Sequence, residues 1–403
     1  MSNVLWVVAA IAISLHNYLF ASFDSNFNGG IEYSLAYFIY LLLVVANRYK
    51  VISHAIKLPY YIVGVIIAII FSPAMENDHY RYLWEAKVLL NQFSPYLTSP
   101  AELKDIVSFK FYDRIGFPWI PSVYPPLAHL WHAPFALLNF ELGFKLLQII
   151  NSLIAYKILS YMKITSWVAV ATFPFILKEN ISSAHLDFIA IFLLIFFMRK
   201  GYPFIGVLLS TGLKLLGIIP TVILTGSISS RRNPYLNIVL LFISSFIVSF
   251  TITQPGFKEF SQNWLWNPGI HQLISFVINE SSTKIILACM VVVYVLMISS
   301  IRRACTQTKI SMAFAFFIAL SPVYNSWYAI WFSLPALAVG NNRVILPLVF
   351  STFAYINFGH QDIRMIGQVL SHITIWWYII GEHLKLQKKQ LDFSHPVKVF
   401  FAL

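Results

Sequence analysis

The stretch YYIVGVIIAIIFSPAMENDHYRYLWEAK, Tyr60 to Lys87, joins the uncharged run Tyr60 to Phe71 to Met75–Lys87, which carries five formal charges in thirteen residues. The contrast is sharp because only 11% of the 403 residues are charged while 58% are hydrophobic and 17% aromatic, with a mean hydropathy of +0.71. Such a chain has too little polar surface to cover a soluble globule, and it reads as an all-α polytopic membrane protein. The junction near Met75 then marks where the chain leaves lipid.

The net charge of +12 would suggest nucleic acid in a soluble protein. Here the basic residues fall in short clusters between apolar spans, which is the positive-inside pattern, so no nucleic-acid partner is expected. Cys289 and Cys305 lie in or beside apolar stretches and support neither a disulfide framework nor a metal cluster. Met1 to Phe20 lacks a basic leader and a small-residue cleavage site, and reads as a retained first span.

A span needs about 20 residues, fewer inside a bundle. Spans are expected at roughly 3 to 21, 33 to 47, 59 to 73, 142 to 160, 164 to 178, 183 to 198, 233 to 252, 284 to 300, 310 to 321, 327 to 340, 344 to 358 and 366 to 381. The clusters Arg48 with Lys50 to Lys57, Lys157 with Lys163, Arg199–Lys200, Arg231–Arg232, Arg302–Arg303 with Lys309, Arg343, and Lys385 to Lys389 are assigned to the cytoplasmic side. Gly201 to Ser230 then has both ends cytoplasmic and must be a hairpin with its tip near Lys214 to Pro220. Val123 to Phe140, with Pro125, Pro126 and Pro134, has both ends external and reads as an interfacial or re-entrant helix. The expected architecture is one domain, 1–403, of about 12 to 14 membrane helices with both termini cytoplasmic. Its polar loops, including 74–122 and Lys178 to Asp187, gather on the external face.

From Asn77 the spacing is helical: Tyr80, Leu83, Trp84, Val88 and Leu89 form an apolar stripe, with Asp78, Arg81, Glu85 and Lys87 mostly opposite. This predicts an amphipathic helix lying flat at the membrane interface, started by Asn77 or Asp78 and carrying an Arg81–Glu85 pair at i, i+4.

ENDHYRYLWEAKVLLNQFSPYLTSP, from Glu76, resembles the first external loop of bacterial GT-C type glycosyltransferases that use polyprenyl-phosphate sugars, especially the mannosyltransferase-like group. Asp78 and Tyr80 to Trp84 match that loop's pattern, while Glu85 and Ala86 stand where the family has Asp and Gly. Further likenesses follow in order: VYPPLAHL at Val123, KENISSAHLD at Lys178, GLKLLGIIP at Gly212, NWLWNPGI at Asn263 and SPVYNSWYAIWFSLP at Ser321.

The resemblance implies a GT-C bundle and an inverting transfer of one sugar, mannose by family likeness, from a polyprenyl phosphate to a lipid or glycan hydroxyl. The site would lie on the periplasmic or extracellular side of a bacterial inner membrane. Such chemistry needs a carboxylate to take the acceptor proton and cations to stabilise the leaving phosphate. Asp78 is the first choice for the base and Glu76 the second. Lys214, Arg81 and Arg364 are the phosphate-binding candidates, Lys214 foremost because a lysine in an apolar hairpin needs an anionic partner; Arg364 also has Asp362 nearby. Glu85, Tyr82, Trp84, His185, Asp187, Asn267, Trp327 and Tyr328 are candidates for sugar or acceptor contacts. Read structurally, Glu85 holds Arg81, His185 and Asp187 anchor a helix end, and the aromatics form an interfacial belt. The donor already carries a single phosphate, so no metal or other cofactor is expected, although Glu76-Asn77-Asp78 also reads as a short acidic metal site. The competing class is a transporter or flippase of a lipid-linked or anionic substrate, which would also use a membrane lysine and broken helices; the absence of an internal hydropathy repeat counts against it.

Overall fold

A computed structural model describes residues 30–46, 58–71, 76–161, 166–225, 233–301, 304–358 and 364–391. The expected first span at 3 to 21, the basic residues Arg48, Lys50, Lys57, Lys163, Arg231, Arg232, Arg302 and Arg303, and Asp362 lie outside them.

Among the described residues the regular secondary structure is all helical, apart from one isolated bridge between Trp266 and Val323. In chain order the helices are α1 (Gly30–Ala46), α2 (Leu58–Phe71), α3 (Asp78–Leu90), α4 (Pro126–Ala136), α5 (Phe140–Tyr161), α6 (Ser166–Phe175), α7 (Asp187–Arg199), α8 (Pro203–Leu213) and α9 (Thr221–Thr225). They continue with α10 (Pro234–Thr253), α11 (Pro255–Asn263), α12 (Ile270–Ser275), α13 (Glu280–Ser300), α14 (Thr306–Leu320), α15 (Ala329–Leu337), α16 (Ile345–Phe350) and α17 (Arg364–Leu391). Proline supplies the first residue of α4, α8, α10 and α11, where its fixed φ suits the helix and its missing N–H is not needed. Asn279 caps α13 by accepting from the Ser282 N–H at 2.8 Å.

Among the described residues, three segments are long and apolar enough to cross a membrane: Phe140–Ser160 in α5, α10 and α13. A fourth candidate is a bent pair, Ala171–Ser182 with Asp187–Arg199, turned by 111° at its break. The other apolar helices are shorter, 10 to 17 residues. The sequence predicts two spans here, 164 to 178 and 183 to 198, joined by a polar loop. Instead, α6 runs on into a π turn, Ile176–Ser182, and every residue from Ile176 to Asp187 is buried.

The hairpin expected within 201–230 is present up to Thr225. Helix α8 ends where Lys214 turns extended (φ −150°, ψ 130°), and the tight turn Leu215–Ile218 folds back onto it. The approach is so close that a Cβ on Gly217 would sit 2.3 Å from the Thr211 nitrogen. Helix α4 has eleven residues, about 16 Å long, too short to cross, as its prolines suggested.

Helix α3 forms where predicted but is not a half-immersed interfacial helix. Segment 91–122 folds over it, and α4 and α5 pack beneath it. Trp84 and Val88 make a small core with Leu103, Val107 and Ile115, while Leu83 packs with Phe135, Leu147 and Ala184. Its polar side is enclosed too: Arg81 and Glu85 are both buried. Gly116 comes close enough to Asn77 that a Cβ there would touch its side-chain amide at 2.8 Å. Asn77 precedes the helix without a side-chain capping bond.

Candidate functional site

The π turn after Pro174 turns Lys178, Glu179 and Asn180 into the protein interior. Helix α5 pins it there: Asn151 and Asn180 each donate from Nδ2 to the other's backbone carbonyl at 3.1 Å, and Gln148 Nε2 donates to the Ser182 carbonyl at 3.1 Å. Ala184 then takes a left-handed backbone (φ 55°), uncommon for a residue with a Cβ. It lets the His185 N–H reach back to the Glu179 carbonyl at 3.0 Å. A π turn followed by a left-handed residue is where a helix departs from regular geometry to aim side chains inward.

Those side chains form one ionic cluster. The Lys178 ammonium, fully buried, lies 2.7 Å from both oxygens of Glu76, 2.7 Å from the Tyr355 hydroxyl, 2.9 Å from Ser183 Oγ and 3.4 Å from Glu179 Oε2. His185 Nε2 is 2.6 Å from Glu76 Oε1, and its Nδ1 is 3.1 Å from the Tyr82 hydroxyl. One tautomer satisfies both, with Nε2–H donating to the carboxylate and Nδ1 accepting from the phenol. Glu179 Oε1 accepts from Tyr355 at 2.7 Å and from Ser326. Trp327 stacks on the imidazole, ring centres 4.0 Å apart.

A second ion pair lies beside the first. Asp187 accepts from the Trp331 indole at 2.6 Å through Oδ1, and its Oδ2 faces Lys214 Nζ at 3.3 Å. The Lys214 ammonium sits 4.9 Å from the Tyr124 ring centre and 6.0 Å from that of Tyr82, distances at which a cation is attracted to a ring face.

Asp78 opens α3 next to both pairs. It is partly exposed, and among the described residues no side chain donates a hydrogen bond to it. Burial raises its pKa above the ordinary 3.8, opposed by His185 and Lys214 and reinforced by Glu76. Glu76 is the opposite case. Burial would raise it, but the Lys178 ammonium and His185 hold it well below the usual carboxylate range. Two carboxylates two residues apart are thus driven in opposite directions, a pattern that separates acid–base roles.

Asp78, Glu76, Tyr82, His185, Asp187, Lys214, Trp327 and Tyr328 therefore belong to one region, with Tyr328 in the field of Asp187 and Asp78. The five other candidates lie elsewhere. All five guanidinium N–H bonds of Arg81 are used, to Glu85 Oε1 at 2.6 Å and to the carbonyls of Gly116, Phe117, Ile120 and Pro121. It fastens segment 91–122 over α3 and keeps no donor for a phosphate. Glu85 holds Arg81 and accepts from Ser122 Oγ at 2.7 Å. Trp84 is enclosed in the small core of segment 91–122. Asn267 is buried and donates to the Tyr324 and Ala354 carbonyls. Arg364 lies 5.9 Å from the Trp266 ring, and among the described residues it makes no ion pair with the cluster.

Sequence reasoning missed Lys178 and Tyr355, and it noted Glu179 ahead of His185 and Asp187 without giving it a role. Lys178 had the same signal as Lys214, a lysine in an apolar segment; Tyr355 had none. Glu76, Glu179 and His185 offer ligand atoms within 4.8 Å of one another, a grouping able to hold a metal, but the Lys178 ammonium already contacts both carboxylates. A small cavity of about 10 Å³ lies between Glu179, His185, Asp187 and Trp327, space for about one water.

No protein-family model, no curated protein and no solved structure matches the chain.

Proposed function

We propose that the chain is an inverting membrane glycosyltransferase with a GT-C type helical bundle, moving a single sugar from a polyprenyl phosphate to a hydroxyl acceptor on the external face. The observation that carries this reading is the split between Asp78 and Glu76. A general base needs a free lone pair and a raised proton affinity. Asp78 has both, whereas the oxygens of Glu76 are occupied by Lys178 and His185.

In the transfer, the acceptor oxygen bonds to the anomeric carbon while the bond from that carbon to the phosphate oxygen breaks. The hydroxyl proton passes to Asp78, and the leaving polyprenyl phosphate takes the bonding pair. Its charge is met by Lys214, whose side chain is 12% exposed and whose ammonium is held by Asp187. Tyr82, Trp327 and His185 form the wall beneath. The cavity of about 10 Å³ is too small for a hexose, so the sugar meets Asp78 from its exposed side. Mannose as donor sugar rests on the sequence resemblance.

The buried ion chain of Lys178, Glu179 and His185 at a break between two helices, joined by Glu76 from just before α3, also favours a second reading, transport of a lipid-linked or anionic substrate. One experiment separates the two. Purified protein is given polyprenyl-phosphate-linked mannose, glucose or arabinose with candidate acceptors, in detergent and in liposomes. Transfer of sugar with release of polyprenyl phosphate supports the enzyme. Movement of intact lipid-linked sugar across the bilayer without transfer sinks it.

A further inference from the structure

We propose that Lys178 is a built-in substitute for a divalent cation: the shell formed by Glu76, Glu179, Ser183, Tyr355 and His185 is a latent metal site that the chain fills with its own ammonium. The proposal stands apart from the transferase reading and requires no activity.

The shell has the donor count of an ion site. An ammonium has three N–H bonds to give, yet five oxygens surround Nζ within 3.4 Å: both oxygens of Glu76, one of Glu179, Ser183 Oγ and the Tyr355 hydroxyl. The Glu76 carboxylate approaches symmetrically, 2.7 Å from each oxygen, as a carboxylate binds a metal through both oxygens. His185 closes the group, its Nε2 2.6 Å from Glu76 Oε1 and 3.7 Å from Glu179 Oε2; to ligate a metal Nε2 gives up its proton, and Nδ1–H then donates to the Tyr82 hydroxyl oxygen. Glu179, Tyr355 and His185 are held independently of Lys178. Tyr355 and Ser326 also bond Glu179, Tyr82 and Trp327 fix the imidazole, and the Asn151–Asn180 exchange fixes the turn.

Oxygen donors with one imidazole suit a hard or borderline cation such as Mn²⁺ or Ca²⁺ rather than a thiophilic one. Calcium–oxygen bonds of about 2.3–2.6 Å need the shell to contract by only a few tenths of an ångström at its four nearest oxygens. Two carboxylates around one ammonium leave a net negative enclosure once the ammonium is gone. A buried anionic enclosure is strongly driven to take up a cation.

The test uses the full-length protein in detergent, with Lys178→Ala opening the shell. Mn²⁺ binding is followed by electron paramagnetic resonance, and the thermal midpoint is recorded with and without Mn²⁺. Lys178→Ala is expected to bind one Mn²⁺ per chain at least about tenfold more tightly than the native protein, about 1.4 kcal/mol, and Mn²⁺ should raise its thermal midpoint. The double variant Lys178→Ala/Glu179→Gln should lose the bound ion. If Lys178→Ala folds only when Mn²⁺ is supplied, the proposal is equally supported. It is overturned if Lys178→Ala binds no more tightly than the native protein, if the double variant binds equally well, or if Mn²⁺ fails to recover a variant that does not fold.

Discussion

Replacing Asp78 by Asn changes one oxygen to an amide nitrogen at nearly constant shape, so it tests the base with little disturbance of packing. Loss of a positioned general base lowers the chemical step by about 10²–10⁴-fold, or roughly 3–5 kcal/mol of barrier at 1.36 kcal/mol per decade. The donor KM should change little, because the phosphate is assigned to Lys214. Stability should move the other way. Burial raises the Asp78 pKa, so the folded state favours the protonated form. Its stabilising contribution is greatest below 3.8 and is lost as pH rises through the folded value. At neutral pH Asp78→Asn removes a partly desolvated charge and should leave the thermal midpoint equal or higher. The native rate should fall on the acid side with a midpoint above the ordinary aspartate value, and the variant should lack that limb. The assay is transfer of radiolabelled sugar from polyprenyl phosphate across pH 4 to 8, together with thermal unfolding in detergent. Full transfer by Asp78→Asn, with a folded but inactive Glu76→Gln, would refute the assignment.

Glu76→Gln should act mainly on folding. The native contribution of Glu76 is present above 4.5 and is lost as pH falls toward its depressed folded value; thermal midpoints of the variant should show less of that acid dependence. Arg81→Lys keeps the charge but offers three donors to acceptors that now take five, leaving at least two unmet. A loss of about 2–5 kcal/mol is expected, and accelerated proteolysis within 91–122 would report it. Lys214→Met leaves the nearly inaccessible Asp187 with the Trp331 indole alone. It should cost about 3–5 kcal/mol, with much of the stability, but not donor binding, returning in Lys214→Met/Asp187→Asn. Burial depresses the His79 pKa to about 3, so its contribution is full above 6.5 and declines as pH falls below 6.5. His79→Phe should flatten part of the thermal midpoint's decline between pH 6.5 and 4; an unchanged slope would contradict the placement of His79 against Phe144.

Several elements were legible because they depend on local pattern. Helix α3, the Arg81–Glu85 pair, the short proline-bounded α4 and the reversal at Lys214 follow from spacing, prolines and charge. The Asp78, Lys214 and His185 neighbourhood was also foreseeable, because each is a polar group in an apolar setting that requires a partner. The sequence did not reveal that α3 is roofed by 91–122. That roof depends on Arg81 meeting four carbonyls 35 to 40 residues away, and backbone acceptors have no sequence signature. For the same reason Trp84, Glu85 and Asn267 looked like ligand contacts: from sequence alone, a buried tryptophan and a sugar platform are the same letter.

Composition and spacing were enough to fix a helical chain, apolar enough to enter a membrane. The sequence also placed an unusual density of charge just after Tyr60–Phe71, because composition and periodicity act over short distances. Which of those charges is free depends on contacts made across the fold. Glu76 and Asp78 are equivalent as letters, but Lys178 approaches from 102 residues away and Tyr355 from 177 beyond that. Their convergence ties Glu76 down and leaves Asp78 available, and proton affinity is set by such neighbours rather than by position in the chain.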